Sequence, residues 1–165
     1  MSGNKDLDVR IDAFSPENII PVKYTGWGED ISPEIRLLGL QPDAVSVAIV
    51  MDDLDVPFVG TYNHWVIWNL PPQDVIPAGI PHEEAVMDGK RAVQGMGYGK
   101  RGYRGPKPPK FLKKEHRYVF QVYVLDCELN LSCENGKKEL LSAMEGHVRQ
   151  YGCVQGVFGN RMLKD

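Results

Sequence analysis

The segment HRYVFQVYVL, residues 116–125, is the longest β-strand that the sequence predicts, and the fold class depends on it. Its valine, tyrosine and phenylalanine content is typical of strands. Because side chains alternate between the two faces of a strand, His116 and Tyr118 share a face with Phe120 and Val122. If the apolar residues of that face point into a core, the two polar side chains lie at its open end. We therefore expect a core strand whose first residues line the mouth of a pocket.

Four other segments indicate further strands. Residues 44–51 are apolar almost throughout, which is typical of a strand covered on both faces. Residues 64–70 are aromatic and β-branched and stop at two prolines, which cannot continue a hydrogen-bonded ladder. Residues 7–13 alternate between apolar and charged side chains, and residues 154–158 predict a short last strand. The sequence is therefore predominantly that of a β protein.

One helix is predicted near the C-terminus. It would begin after Asn135-Gly136, which can cap it, and end at Gly152, where a left-handed C-terminal cap belongs. Apolar residues recur between these caps at helical spacing, at Leu140, Leu141, Met144, Val148 and Tyr151. The glycine-rich piece from Gly89 to Gly105 is predicted to be one long loop. These elements favour a mostly β sandwich with one or two peripheral helices, formed as a single domain over residues 1–165.

Composition places the chain among ordinary folded proteins. It has 165 residues, of which 42% are hydrophobic and 25% charged. No apolar run is long enough to cross a bilayer, and the polar start lacks a secretory signal, so we expect a cytoplasmic protein that is not an integral membrane protein. Cys127, Cys133 and Cys153 lack metal-binding spacing and are interpreted as buried or bystander thiols.

Positive charge is concentrated between Lys90 and Arg117, where ten basic residues and one acidic residue occur in a chain of net charge −3. Such a tract can attract an anionic partner, although most charge runs are solvated loops. Tyr98, Tyr103 and Phe111 are interleaved with these cations, a pattern also found in proteins that bind single-stranded nucleic acid. The isoelectric point near 5.8 argues against nucleic acid as the partner.

Two more groups of polar residues lie at predicted strand ends. Asp53 and Asp55 follow the buried strand two positions apart, and they can place two carboxylates close together. Aspartates that bond backbone amides within a turn are the alternative interpretation. His64 opens the next strand and, by strand alternation, shares a face with Val66 and Trp68. Either this histidine or the one at the start of the last long strand can also be purely structural.

The order of these motifs resembles the phosphatidylethanolamine-binding protein family, including the bacterial and archaeal members known as Raf kinase inhibitor-like proteins. The acidic segment Asp53-Leu54-Asp55-Val56-Pro57, followed by His64-Trp65 and Asn69-Leu70-Pro71, resembles the family's first signature. The loop Gly105-Pro106-Lys107-Pro108-Pro109, followed by His116-Arg117-Tyr118, resembles the second. The resemblance extends over nearly the whole chain.

The resemblance implies a Greek-key β-sandwich with a small anion-binding pocket near one end. By motif position, the implied pocket residues are Asp53, His64, Gly105, Pro106, His116 and Tyr118, and the supporting residues are Asp55, Trp65, Lys107 and Pro109. The implied ligand is a phosphate, a carboxylate or a phosphoryl head group, and a kinase or protease is the implied kind of protein target. Leu54 replaces the usual proline of the family's acidic motif, and Lys107 replaces a usual small residue of the proline-rich loop. Any unusual ligand preference is expected from Lys107 and the glycine-poor residues 111–114.

Two functions remain open from the sequence. In the first, histidine N–H groups, a tyrosine hydroxyl and loop amides bind a small anion. In the second, Asp53, His64 and His116 form the acid/base set of a hydrolase, or a metal site of two histidines and a carboxylate. Because no nucleophile elbow or HExxH motif accompanies these residues, we expect a binding protein without catalytic residues, cofactor or metal. Whether it forms a homodimer is left open.

Overall fold

A computed structural model of the protein describes residues 7–82, 85–87 and 90–163. The strands in chain order are β1 (Asp8–Arg10), β2 (Ile35–Leu38), β3 (Ser46–Val56), β4 (Gly60–Leu70), β5 (Val75–Ile76), β6 (Ala85–Met87), β7 (Lys90–Gln94), β8 (Met96–Gly97), β9 (Lys100–Arg101), β10 (His116–Leu125) and β11 (Val148–Phe158). Helix α1 spans Lys137–Met144, and short 3-10 helices cover Asp12–Phe14, Val22–Tyr24 and Asn160–Leu163.

The strands form a six-stranded sheet, a three-stranded sheet and a small hairpin. The large sheet has the order β11-β10-β3-β4-β7-β6, the small sheet has the order β1-β2-β5, and β8 pairs with β9. Strands β3 and β4 are adjacent and antiparallel, and β10 returns after a long connection to pair with the other edge of β3. This arrangement is a Greek key. The predicted fold class, a mostly β sandwich with a peripheral helix, is confirmed.

The two sheets enclose the main hydrophobic core. Val9 and Leu37 of the small sheet belong to one buried cluster with Ile49 of β3 and Phe120 of β10. On the other face of the large sheet, β3 residues such as Val50 belong to a second cluster, which α1 covers. Strand β3 is therefore buried on both faces, as its continuous apolar sequence predicts.

Helix α1 is shorter than the sequence predicts. It ends at Met144, and the left-handed glycine beyond it is Gly146, with φ +82°, rather than Gly152. Residues 148–158 form β11, which pairs along the length of β10. The prediction that the helix continues to Tyr151 is wrong because this long-range pairing outweighs a local helical spacing. No helix in the described part of the chain is long and apolar enough to span a membrane.

Two other segments differ from their predictions. Strand β1 ends at Arg10 and a 3-10 helix follows it, so the predicted strand over residues 7–13 is only partly formed. The predicted loop from Gly89 to Gly105 contains all of β7 and the β8–β9 hairpin. Strand β7 forms because it adds to the edge of β4, and the hairpin strands are two residues long. Strands this short carry no recognisable periodicity.

Gly152 provides a test of the β11 assignment. A Cβ atom there would lie 2.1 Å from the carbonyl oxygen of Leu7 and 2.8 Å from Cγ2 of Val9. Because backbone cannot move aside easily, we expect Gly152→Ala to lower the free energy of unfolding by about 1–3 kcal/mol in urea denaturation. The exposed neighbour Cys153 is the control, and Cys153→Ala should change stability by less than about 0.5 kcal/mol. Equal stability of both variants would contradict the assignment.

Candidate ligand-binding pocket

A pocket of about 320 Å³ lies where β3 ends and β10 begins. Polar side chains from three neighbouring strands line it: Asp53 of β3, Tyr62 and His64 of β4, and His116 and Tyr118 of β10. Four of the residues predicted from the sequence to form a pocket therefore do lie together. Tyr62 was not predicted, although it lies two positions before His64 and strand alternation alone places it on the same face.

Loops supply the rest of the lining. These residues are mostly apolar: Val56 and Pro57 at the end of β3, Val59 in the following turn, Tyr98 of the β8–β9 hairpin, and Lys107, Pro108, Pro109 and Leu112 of the proline-rich loop. Apolar walls around a few convergent polar groups are typical of small-molecule sites. Tyr98 is recognisable in the sequence only as an aromatic residue of the basic tract. No sequence pattern places its side chain in the pocket.

The pairing of β3 with β10 brings the polar residues together. Tyr118 is directly opposite Asp53 in the ladder. His116, on the same face, has its Nδ1 2.7 Å from Oδ2 of Asp53, and both side chains are buried. Oδ1 of Asp53 accepts a 2.8 Å hydrogen bond from the N–H of Asp55. Because both carboxylate oxygens are occupied, Asp53 orients His116 and leaves Nε2 as the ring nitrogen available to a ligand.

His64 reaches the pocket through an irregularity in β4. Strand alternation predicts that His64 shares the face of Val66, but that residue packs on the α1 side of the sheet, whereas His64 lines the pocket. The register of β4 against β3 shifts between Met51 and Asp52. A bulge of this kind places two successive residues, His64 and Trp65, on the same side. The prediction of a shared face with Val66 is therefore wrong.

The ring of His64 is held by backbone rather than by a carboxylate. Its Nδ1 lies 2.7 Å from the carbonyl oxygen of Arg104, and because a carbonyl only accepts, Nδ1 carries the hydrogen. Burial lowers the pKa of His64 below its usual value, although this hydrogen bond and the carboxylate of Asp53 act in the opposite direction. His64 is thus uncharged at neutral pH, and its Nε2 is an acceptor. The sequence predicts that both histidines donate to an anion, whereas a neutral His64 accepts a hydrogen bond at Nε2.

Tyr118 is a hydrogen-bond donor over the whole physiological pH range. Burial, followed by the neighbouring carboxylate of Asp53, raises the pKa of Tyr118 well above its usual value. Its ring lies edge-on to that of His64, with 5.5 Å between ring centroids. The ring of Tyr98 packs against His64 with a centroid distance of 4.7 Å. These aromatic contacts restrict the orientation of the imidazole.

Asp55 connects the two strands beside the pocket. Its Oδ2 accepts hydrogen bonds from the backbone N–H of Arg117 at 2.8 Å and from Nε at 3.0 Å, and its Oδ1 accepts one from Nη2 at 2.9 Å. The hydrogen bond from the Arg117 side chain is the main reason why the pKa of Asp55 is lowered to about 2. Asp55 does not contribute to the lining and holds the end of β3 to the start of β10.

Gly105 and Pro106 lie behind the pocket wall and do not line it. The N–H of Gly105 donates to Oδ1 of Asp30 at 2.7 Å, and the carbonyl of Pro106 accepts from the N–H of Gly26 at 2.8 Å. A Cβ on Gly105 would lie 2.0 Å from the carbonyl oxygen of Tyr24, so this close approach requires glycine. The two residues anchor the loop whose following residues form part of the lining.

The remaining supporting residues have different places. Pro109 and Lys107 line the pocket, and Nζ of Lys107 lies 5.2 Å from the ring centroid of Trp27, which is not part of the lining. The ammonium group is therefore held beside an aromatic ring at the outer side of the loop. Trp65 is fully buried in the core, where its Nε1 donates to Oε1 of Gln94 at 2.8 Å.

The geometry does not favour the metal-site alternative. Across residues 7–82, 85–87 and 90–163, one set of three side chains has ligand atoms within 4.8 Å of one another: Asp126, Cys127 and His147, at the far end of β10. Asp53, His64 and His116 do not form such a set. Instead, Nδ1 of His116 bonds the carboxylate of Asp53, and Nδ1 of His64 bonds the backbone carbonyl of Arg104.

The tautomer and charge of His64 can be measured. Long-range ¹H–¹⁵N NMR spectra, assigned with His64→Gln, should show a neutral ring protonated at Nδ1 at pH 7 and a titration midpoint below the usual 6.5. The unfolded chain binds this proton more readily, so falling pH below about 6.5 should favour unfolding, and His64→Gln should weaken that dependence. An imidazolium at pH 7 would contradict the assignment.

The ion pair of Asp55 predicts a second pH effect. Because its folded pKa of about 2 lies below the ordinary value of 3.8, its stabilising contribution is complete above about pH 4 and is lost as pH falls towards 2. We expect Asp55→Asn to lower the free energy of unfolding by about 1 kcal/mol at pH 7 and by much less at pH 2. Asp8→Asn, in an exposed pair with Arg10, is the control and should cost under about 0.5 kcal/mol. If Asp55→Asn lowered the free energy of unfolding equally at pH 7 and at pH 2, that result would argue against the ion pair.

Known proteins are similar to this chain in both sequence and fold. A family model described as phosphatidylethanolamine-binding protein matches residues 10–159. The chain is 40% identical over 157 residues to a UPF0098 protein of Pyrococcus abyssi, which covers 94% of this chain and 87% of that protein. It is 36% identical over 153 residues to a UPF0098 protein of Chlamydia trachomatis, with coverage of 88% and 94%.

Solved structures agree with these matches. A phosphatidylethanolamine-binding protein homolog from Chlamydia trachomatis superposes with a TM-score of 0.81 at 32% identity, covering 98% of this chain and 100% of that one. Escherichia coli YbcL, at 21% identity, shares the fold with a TM-score of 0.78 over 93% of this chain and 98% of that one. On the family model and these identities, the chain belongs to the phosphatidylethanolamine-binding protein family.

Proposed function

We propose that the protein binds a small phosphoryl or carboxylate anion in the pocket between His64, His116 and Tyr118. The observation that carries this proposal is the 2.7 Å contact between His116 Nδ1 and Asp53 Oδ2 inside the pocket. This contact occupies Oδ2 of Asp53 within the protein and leaves the far nitrogen of His116 for a ligand. The name of the family model, which describes phosphatidylethanolamine binding, supports a phosphoryl head group as one such ligand.

The three polar groups suit a protonated phosphate. The hydroxyl of Tyr118 donates to one oxygen, and Nε2 of His116 donates to another when that ring carries both protons. Because Nδ1 donates to Asp53, the proposal includes binding of the anion by the doubly protonated form of this ring. The neutral His64 offers an acceptor, which takes the O–H of a hydrogen phosphate or a phosphate monoester monoanion. The apolar loop residues accommodate the carbon substituent of an ester.

This arrangement predicts selection of phosphate over sulfate. Sulfate carries no proton at neutral pH, so it would place an oxygen lone pair against the lone pair of His64. An unsatisfied buried acceptor costs about 1–3 kcal/mol, which corresponds to a difference in affinity of about 5-fold to 150-fold. Isothermal titration at pH 7 should therefore show tighter binding of inorganic phosphate than of sulfate. Equal affinities would contradict the role given to His64.

Variants test the pocket directly with phosphate and phosphorylethanolamine as probes. We expect His116→Ala to lower the affinity at least about tenfold, because a charge-assisted hydrogen bond is lost. Tyr118→Phe removes only one hydroxyl and should also weaken binding. His147→Ala is the matched control, because His147 also bonds a carboxylate through Nδ1, at 2.8 Å from Asp126, at the other end of β10. Absence of binding to the wild-type protein, or wild-type affinity of both pocket variants, would overturn the proposal.

Modulation of a kinase or protease, in the cytoplasm, is part of the same proposal and follows from the family resemblance. Support for a protein partner comes from three apolar side chains near the pocket mouth: Phe58, Val59 and Phe111 are 110%, 64% and 80% exposed. A homodimer is an alternative use of this surface, and light scattering of the purified protein distinguishes it from a monomer.

A further inference from the structure

A second cavity, of about 240 Å³, adjoins the pocket. Its charged lining consists of three cations, Lys100, Arg104 and Lys107, and one carboxylate, Asp30. Lys107 and Tyr98 line both cavities, so these two side chains form the boundary between them. We call this second space the basic cavity.

The charges of the basic cavity do not cancel. In the described part of the chain, Asp30 is the only acidic side chain of the lining, and its Oδ1 already accepts the N–H of Gly105 at 2.7 Å. The Nε of Arg104 is buried and has no hydrogen-bond partner among the residues that the structure describes. A buried donor without a partner is costly, and an anionic oxygen would satisfy it. The cavity therefore has the charge and the unused donor that an anion requires.

Arg104 also links the two spaces. Its carbonyl oxygen holds Nδ1 of His64 at 2.7 Å, while its side chain lines the basic cavity. A ligand that extends past Tyr98 and Lys107 would contact His64 on one side of this residue and the guanidinium on the other. The basic cavity is therefore a continuation of the pocket rather than an isolated surface feature.

We propose that the basic cavity binds a second anionic group, so that the ligand of this protein is a small organic molecule carrying two anionic groups. One phosphoryl group occupies the space between His64, His116 and Tyr118, and the other anionic group, a phosphoryl or a carboxylate, contacts Lys100 and Arg104. This inference rests on the proposed function, because it assumes that the first group binds as described above.

Three synthetic probes separate this inference from the proposed function. Isothermal titration at about 0.15 M salt, where long-range attraction is largely screened, compares propyl phosphate with 1,3-propanediol bisphosphate and 1,4-butanediol bisphosphate. The monoester reports on the pocket alone. We expect the better of the two bisphosphates to bind wild-type protein at least about tenfold more tightly than the monoester, which is the gain from one added charge-assisted contact.

Variants of the basic cavity test whether its side chains cause the tighter binding of the bisphosphate. Lys100→Gln should reduce the advantage of the bisphosphate at least threefold while the affinity for propyl phosphate stays unchanged, and the double variant Lys100→Gln/Arg104→Gln should abolish it. Lys113→Gln removes the same charge from the same basic tract outside both cavities and should leave the advantage intact. His116→Ala should weaken binding of all three probes.

The outcomes are distinguishable. If both bisphosphates bind wild-type protein no more tightly than propyl phosphate, the inference fails and the proposed function stands. It also fails if Lys113→Gln costs as much as Lys100→Gln, because the gain is then general attraction rather than a site. If none of the three probes binds, the proposed function and the inference fail together.

Discussion

The antiparallel register of β3 against β10 is the constraint on which the candidate pocket depends. It places Tyr118 opposite Asp53 and lets His116 reach the same carboxylate. The ion pair between Asp55 and Arg117 continues the connection beyond the last paired residues. A slip of one residue would turn every β10 side chain to the other face, which would bury polar groups in the core. The packing of the sandwich core therefore sets the geometry of the polar site.

The two pocket histidines are chemically different because their partners differ. A buried carboxylate requires its own hydrogen-bond donors, and Asp53 obtains them from His116 and the N–H of Asp55. His64 bonds only a carbonyl, and burial lowers its pKa, so this ring stays neutral. In the proposed function, one imidazole donates to an anion and the other accepts from it. The proposed preference for protonated phosphate over sulfate rests on this difference.

Local patterns predicted the long elements well and the short or long-range ones poorly. Strand β10 spans His116–Leu125 as predicted, because alternation over ten residues is a strong signal. The helix was extended too far, since Val148 and Tyr151 continue the helical spacing by coincidence while their backbone pairs with β10. The face predicted for His64 is wrong because the register shift in β4 depends on its pairing with β3, which strand alternation does not include.

By itself, the sequence determined the mostly β class, the burial of β3 on both faces, and the motif residues Asp53, His64, His116 and Tyr118. Only the tertiary structure decided that Gly105 and Pro106 anchor the loop from behind, that Tyr98 completes the lining, and that a basic cavity adjoins the pocket. The physical reason is that side-chain alternation is a local property of the backbone. A bulge, a docked hairpin and a glycine whose Cβ would lie 2.0 Å from a carbonyl oxygen are set by contacts between residues far apart in the chain.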